Sequence, residues 1–221
     1  MAPAVDLTDS YLRVVPEELL GRYEWREVRE AAAVLQSTSP EEFDDLLEVL
    51  NDFALTKEDI LTPGGNEGEV PKRLNSHFRA LGWREGQYDA TLSSELRLMP
   101  FAEAGESAPQ VQTTEVFSSG YKIDNVKGTV ALDVEWNAKD GNLDRDLAAY
   151  RALYDAAIIT VGVMITRVHK PLRDLARKLG REKGFATTTT TNLSKLEPRM
   201  TRGDSGGCPF LAVAISPATM E

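Results

Sequence analysis

The chain is short of the residues that staple or anchor a fold. Its single cysteine, Cys208, excludes an intrachain disulfide and suits a reducing compartment. Its two histidines, His77 and His169, both lie in helix-like contexts. His77 reads as a surface or packing residue, because no ligand partner stands at a recognisable spacing. The longest nearly apolar run, residues 156–165, is far too short to span a bilayer. No basic-then-apolar signal opens the chain, so a cytoplasmic location away from membranes is expected. The glycines of residues 62–68 follow neither G-x-G-x-x-G nor P-loop spacing, which argues against a nucleotide site and for a loop. What remains is ordinary for a globular protein, with 42% hydrophobic and 27% charged residues in 221. That length suits one sizeable domain with a full core.

Charge is scarce in one sign only over part of the chain. The net charge of −10 argues at first against a nucleic-acid partner. Residues 1–66, however, hold 15 Asp/Glu against 5 Lys/Arg, so the remainder sums to zero. Residues 167–202 hold ten Lys/Arg against three acids, a net +7. A basic segment beside carboxylates fits binding of a phosphate backbone around a metal site, while a solvated helix face accounts for part of the same charge.

Those carboxylates lie in residues 120–137. From Thr129 to Trp136 the chain alternates, placing Val130, Leu132, Val134 and Trp136 on one side of a strand. Ala131, Asp133 and Glu135 fall on the other side, with the two carboxylate Cβ atoms roughly 6–7 Å apart. Residues 125–128 read as a turn, so a short hairpin brings Asp124 toward the pair. Three converging carboxylates with only oxygen to offer suit a hard cation such as Mg²⁺. The same residues are equally consistent with carboxylates solvated at a strand end or edge.

Asp124, nine residues to Asp133 and two more to Glu135 resembles the active-site signature of the PD-(D/E)xK nucleases. More narrowly it is similar to type II restriction endonucleases of the BamHI, BglII and BstYI group. The resemblance extends through residues 142–167 and more loosely over 70–215. It implies an α/β, restriction-endonuclease-like fold: a mixed central β-sheet flanked by helices in one domain. It implies a Mg²⁺-dependent enzyme, with two ions per site, cutting double-stranded DNA at a short palindrome and leaving 5′-phosphates. Asp124 and Asp133 would hold metal, and Glu135 would do so through water or accept the water's proton. The wider family often has lysine where Glu135 stands, an acidic departure shared with the BamHI variant, and Asp133 stands where glutamate is more usual. The helix before the hairpin lends such sites a further polar residue, for which Asn75 is the best match and Glu69 the second. A homodimer is implied by cutting two strands at a two-fold site, and a cognate DNA methyltransferase in the same cell follows from the biology of such enzymes.

In order, Pro16-Glu17-Glu18 begins a helix expected to carry Leu19, Leu20, Tyr23, Val28, Ala31 and Leu35. Ser39-Pro40-Glu41-Glu42 starts a second, with Phe43, Leu46, Leu47, Leu50 and Phe53 on its apolar face. Residues 1–66 thus read as an acidic helical scaffold. Residues 67–166 read as the catalytic core: a helix through Leu74, Phe78 and Leu81, strands near 92–99 and 113–118, the hairpin, a helix capped by Asn142, and a buried strand at 157–166. Asp144, Arg145, Asp146 and Arg151 fall mainly on the outer faces of the capped helix. Residues 167–221 read as a basic DNA-recognition region, beginning with a helix from His169, and a closing strand at 210–215. The polar stretch 187–192 reads as an exposed strand or mobile loop. Asn137, Lys139, Asn192, Lys195, Arg199, Arg202, Asp204 and Ser205 are the candidate DNA contacts, since Arg and Lys suit guanine edges and Asn suits adenine.

Gly203-Asp-Ser-Gly-Gly207 copies the surroundings of a chymotrypsin-type nucleophile. Such a protease needs a histidine base held by a carboxylate on a double β-barrel, and only 16 residues follow Ser205, so the segment reads as a turn. Two other functions compete with restriction: a related nuclease on damaged, branched or RNA substrates, and a non-catalytic DNA-binding protein. Metal-dependent strand scission separates the last from both enzymes.

Overall fold

The computed structural model describes residues 4–62, 68–185 and 189–220. Most of the 62–68 loop and Thr187–Thr188 of the polar stretch lie outside the described residues. The elements run β1 (Leu7–Thr8), α1 (Tyr11–Val14), α2 (Glu17–Arg22), β2 (Tyr23–Val28), α3 (Ala31–Thr38), α4 (Pro40–Asp52) and α5 (Lys57–Leu61). They continue with α6 (Glu69–Ala80), β3 (Arg84–Leu98), β4 (Gln110–Lys127), β5 (Val130–Val134), α7 (Gly141–Asp155) and β6 (Val161–Arg167). Last come α8 (Lys170–Lys178), α9 (Leu193–Arg202) and β7 (Phe210–Ile215). The strands form a mixed seven-stranded sheet in the order β1-β2-β7-β6-β5-β4-β3, and helices flank it. The fold class is therefore α/β, as expected.

The middle of the sheet is the core. Strands β5, β6 and β7 are buried along their whole length, as near-continuous apolar strands must be when both faces are covered. The β5–α7–β6 unit is a β-α-β crossover whose strands pair in parallel, Asp133 opposite Met164. Strand β7 then adds parallel to β6, and β2 pairs antiparallel with β7, Trp25 opposite Val213.

That last pairing corrects the expected first helix, which ends at Arg22 and gives way to a strand. Tyr23-Glu-Trp-Arg26 alternates buried and half-buried, a period of two that suits a pleated strand with large aromatics on its inner face. Gly21, just ahead of it, weakens any continuation of the helix. The amphipathic helix expected after Ser39 is α4, with Phe43, Leu46, Val49 and Leu50 buried. Strand β6 starts at Val161 rather than at residue 157, with Ile158 46% exposed.

The chain folds as two compact units: Met1–Gly86 with Ile123–Glu221, and Gln87–Lys122. The smaller unit holds most of β3 and β4, both longer than expected, and a single 3₁₀ turn at Ala102–Ala104. Within it Gly120 N–H donates to Asp89 Oδ1 at 2.9 Å. A Cβ at Gly120 would lie 1.9 Å from the Tyr88 carbonyl oxygen, so only glycine fits there. Leu92, Met99 and Phe117 of this unit are each more than half exposed.

Candidate active site

Antiparallel pairing of β4 with β5 places Asn125 opposite Leu132 and Lys127 opposite Val130. The turn is thus only Gly128-Thr129, starting three residues later than expected, because residues 125–127 belong to the strand. Gly128 has φ +52°, the left-handed conformation such a tight turn needs. The short turn still delivers the expected convergence. Asp124 N–H donates to Asp133 Oδ1 at 2.8 Å, and Val134 N–H donates to Asp124 Oδ2 at 3.2 Å.

Glu135 extends the parallel pairing one step, its N–H donating to the Ile165 carbonyl at 2.8 Å. Its side chain therefore shares the Asp133 side of the strand. Asp133 is 4% and Glu135 7% exposed, so neither sits solvated at a strand end. Asp124 is half-buried. From α6, Asn75 is buried, hydrogen-bonds the Asp124 carboxylate and accepts from Asn125 Nδ2 at 2.7 Å. Glu69, the alternative to Asn75, opens α6 in a solvent-exposed contact with Lys72 at 3.6 Å.

Two further members of the cluster come from α7. Tyr150 is fully buried, with its hydroxyl 2.6 Å from Asp133 Oδ2 and 2.8 Å from the Val163 carbonyl. Asp146, expected on an outer face, is 2% exposed and hydrogen-bonds Glu135. Its position follows from helical spacing: three residues after Leu143 and four before Tyr150, it belongs to the buried stripe. Arg145 anchors Asp146 Oδ1 through Nε at 2.9 Å. Asn142, expected as the cap, sits inside the helix, whose N-cap is Asp140, and its Nδ2 lies 3.5 Å from Glu135 Oε1.

Electrostatics follow from this burial. Desolvation, then the Asp146 and Asp124 charges, push the Asp133 carboxyl up to about 8. Desolvation, then Asp146, push Glu135 up to about 8 as well. Asp146 is raised by burial while Arg145 holds it down, and Asp124 is raised by burial. Two carboxyls hydrogen-bond each other only when one carries a proton; Arg145 beside Asp146 leaves that proton with Glu135. Beyond the hydrogen bond the two carboxyls share, Glu135 Oε2 and Asp146 Oδ2 receive none from another donor among the described residues.

This donor set fits a divalent cation: four carboxylates, all oxygen, with two acceptor atoms that find no donor outside the cluster and three carboxyls held above their ordinary range by burial first and one another's charge second. The oxygens are spread more widely than a single tight trio. Among the described residues, ligand atoms all within 4.8 Å of one another occur instead at Glu48, Asp52 and His77.

The raised values have a direct consequence for stability. The folded chain holds these protons more tightly than the unfolded chain. The resulting stabilisation is complete below the ordinary carboxylate range and is lost as pH rises through about 8. In EDTA, scanning calorimetry should therefore give a lower melting temperature at about pH 9 than at about pH 5, and Mg²⁺ should narrow the difference. An unchanged melting temperature across that range would mean the carboxylates are not strained.

Packing behind the cluster is tight at one point. A Cβ at Gly162 would meet the Tyr150 ring at 2.9 Å. Gly162→Ala should displace Tyr150 from Asp133, lowering stability by about 1–3 kcal/mol in urea unfolding and slowing any reaction at the cluster. A stability change without a rate change would detach Tyr150 from the chemistry.

The candidate DNA contacts fall into two groups. Asn137 and Lys139 are exposed just beyond β5. Arg167, fully buried, spans from Asn137 Oδ1 (2.9 Å) to Thr190 Oγ1 (2.9 Å) and lies 4.8 Å over the Phe185 ring. Burial lowers its pKa to about 10. Thr190 also pairs with Lys139 in a single bridge, so the described part of the polar stretch is tied to the exit of β5. Asn192 is 2% exposed and caps α9, accepting from Lys195 N–H at 3.2 Å. That helix was not expected from the sequence. Lys195 pairs with Asp140 at 2.6 Å, Arg199 with Asp144 at 2.7 Å, and Arg202 with Asp204 at 2.5 Å. Part of the positive charge counted in this segment is thus offset, by Asp140 and Asp144 at the start of α7 and by Asp204 after α9. Ser205 is 1% exposed and its hydroxyl donates to the Cys208 carbonyl at 3.3 Å. No histidine joins it, and it is not positioned as a nucleophile.

A family model described as Restriction endonuclease BglII/BglIII matches residues 23–215, a span that includes every carboxylate of the cluster. No curated protein matches the chain.

Proposed function

This chain belongs to the restriction endonuclease BglII/BglIII family, and we propose that the cluster of Asp124, Asp133, Glu135 and Asp146 is the Mg²⁺-dependent centre at which it cuts DNA. Members of that family are type II site-specific deoxyribonucleases acting on double-stranded DNA. The observation that carries the assignment to this cluster is the convergence of half-buried Asp124 from β4 with the buried carboxylates of β5 and α7, two of them raised to about 8.

In this proposal Asp124 and Asp133 hold the metal, two ions per site, with Asn75 orienting Asp124 and Tyr150 orienting Asp133. When bound, Mg²⁺ would offset the carboxylate charge, neutralise the scissile phosphate and lower the pKa of water. Glu135 would give up its own proton when the cation binds; ionised, it takes the proton of the attacking water, and the hydrogen bond to Asp146 that re-forms with that proton is the relay. In-line attack on phosphorus breaks the bond to the 3′ oxygen, which takes a proton from solvent water, leaving a 3′-hydroxyl and a 5′-phosphate. Asn137, Lys139, Lys195, Arg199 and Arg202 supply DNA contacts, the last three by exchanging Asp140, Asp144 and Asp204 for phosphate. Residues 1–221 work as one nuclease domain, in a homodimer that matches a palindromic site. The host's DNA is shielded by a cognate methyltransferase.

The test is digestion of unmethylated phage DNA in Mg²⁺ and in EDTA. Discrete fragments only with Mg²⁺, rejoined by ligase without kinase treatment, are expected. Cutting in EDTA would remove the metal, and fragments that need kinase before ligation would reverse the polarity of cleavage. A smear would discard site specificity.

A further inference from the structure

Helices α4 and α6 bring together a second group of ligand-type side chains, separate from the carboxylate cluster. Glu48 and Asp52 stand four residues apart on α4 and so share one face. His77 comes from α6, which packs on α4. Its Nε2 lies 3.6 Å from Glu48 Oε1, and one ligand atom from each of the three lies within 4.8 Å of the other two. Among the described residues no lysine or arginine pairs with Glu48 or Asp52, and α4 carries Glu41, Glu42, Asp44, Asp45, Glu48 and Asp52 without a single base.

Asp52 and His77 also line a cavity of about 320 Å³, whose walls include Phe53, Thr56 and Arg73. Arg73 is already neutralised by Asp59 at 2.5 Å and lies 5.3 Å over the Phe53 ring. Its Nε is nonetheless buried with no acceptor. An unused N–H donor in the cavity wall is the complement of a water or small anion seated there. A cation held by Asp52 and His77 would keep its remaining coordination positions toward that same space. A His77–Glu48 contact alone leaves out Asp52, whose Oδ1 accepts from its neighbour Asn51 Nδ2 at 3.2 Å.

We propose that Glu48, Asp52 and His77 form a second, non-catalytic site for a divalent cation of the Zn²⁺ class, tying α6 to α4. One imidazole nitrogen with two carboxylate oxygens favours Zn²⁺, Co²⁺ or Ni²⁺ over Mg²⁺ and Ca²⁺, which take all-oxygen sets. That chemistry separates this site from the carboxylate cluster, which holds no histidine. The inference stands independently of DNA cleavage.

The test is an NMR titration of the ¹⁵N-histidine-labelled full chain with ZnCl₂, in which His169 serves as the internal control. The expected result is a shift of the His77 imidazole that saturates at one equivalent, with His169 unmoved. A Zn²⁺ excess of about 100-fold over Kd should raise the melting temperature by about 5–10 °C. Glu48→Gln and Asp52→Asn, both at exposed positions, should each weaken binding at least about tenfold. An unmoved His77 resonance would overturn the proposal. So would affinity unchanged in the Glu48→Gln/Asp52→Asn double variant, which would mark an adventitious single-histidine contact.

Discussion

Asp133→Asn should reduce the single-turnover rate of DNA cleavage by at least about 10³-fold while leaving DNA binding intact or tighter. Asp133 is the best-buried carboxylate among the three expected to coordinate, fixed through both oxygens by Asp124 N–H and the Tyr150 hydroxyl. Asparagine keeps the shape and the acceptor facing Asp124, and removes the charge. The same change takes away the repulsion that Asp146 and Asp124 exert on this position. In EDTA above about pH 8 the variant should therefore melt at a higher temperature than the wild type, so stability and activity move in opposite directions. Gel-shift and rapid-quench assays on one mapped duplex measure binding and rate. Wild-type turnover would remove Asp133 from the mechanism, and loss of both binding and stability would make its role structural.

Asp146→Asn is the second large effect. Asp146 is the leading charged neighbour raising Glu135. Removing its charge should lower the Glu135 pKa and move the acidic limb of the pH–rate profile to lower pH. Losing the relay should cost about 10²-fold or more in rate, the range of a general base or its partner. A rate loss with an unmoved acidic limb would say that Asp146 acts only by packing. A downward shift with full rate would remove it from proton transfer and keep its electrostatic effect on Glu135.

The sequence shows the hairpin because a strand of period two and a short turn nearly fix which residues face each other. A turn expected to start three residues early does not disturb the meeting of Asp124 with Asp133, since the antiparallel register is set by the residues actually paired, Asn125 with Leu132. The β-α-β crossover and the closing strand are legible for a similar reason: runs of branched apolar residues fit only a strand covered on both faces.

Asp146 is harder to see. Its spacing from Leu143 and Tyr150 puts it on the inner stripe, but a charged side chain there reads as solvent-facing until the partners that share its burial are known. Strand β2 is masked by the helix-start signal at Pro16-Glu17-Glu18, although Tyr23 and Trp25 carry the alternation. Helix α9 carries its own signal in Leu193, Leu196 and Met200, one face of a helix after the Asn192 cap, obscured by the threonine run before it and by Pro198. The basic segment is overcounted for a physical reason. Composition registers Arg199 and Lys195 as free cations, whereas their partners Asp144 and Asp140 stand 55 residues away in the chain and adjacent in space.

The proposed mechanism requires the cleavage metal to sit among Asp124, Asp133, Glu135 and Asp146. Affinity cleavage of the polypeptide tests that requirement most directly, with Fe²⁺ and ascorbate in place of Mg²⁺. Backbone cuts are expected close to residues 124, 133–135 and 146, suppressed by excess Mg²⁺ and absent from Asp124→Asn. Mg²⁺-sensitive cuts confined to the region of residues 48–52 and 77, with none at the hairpin, would contradict it.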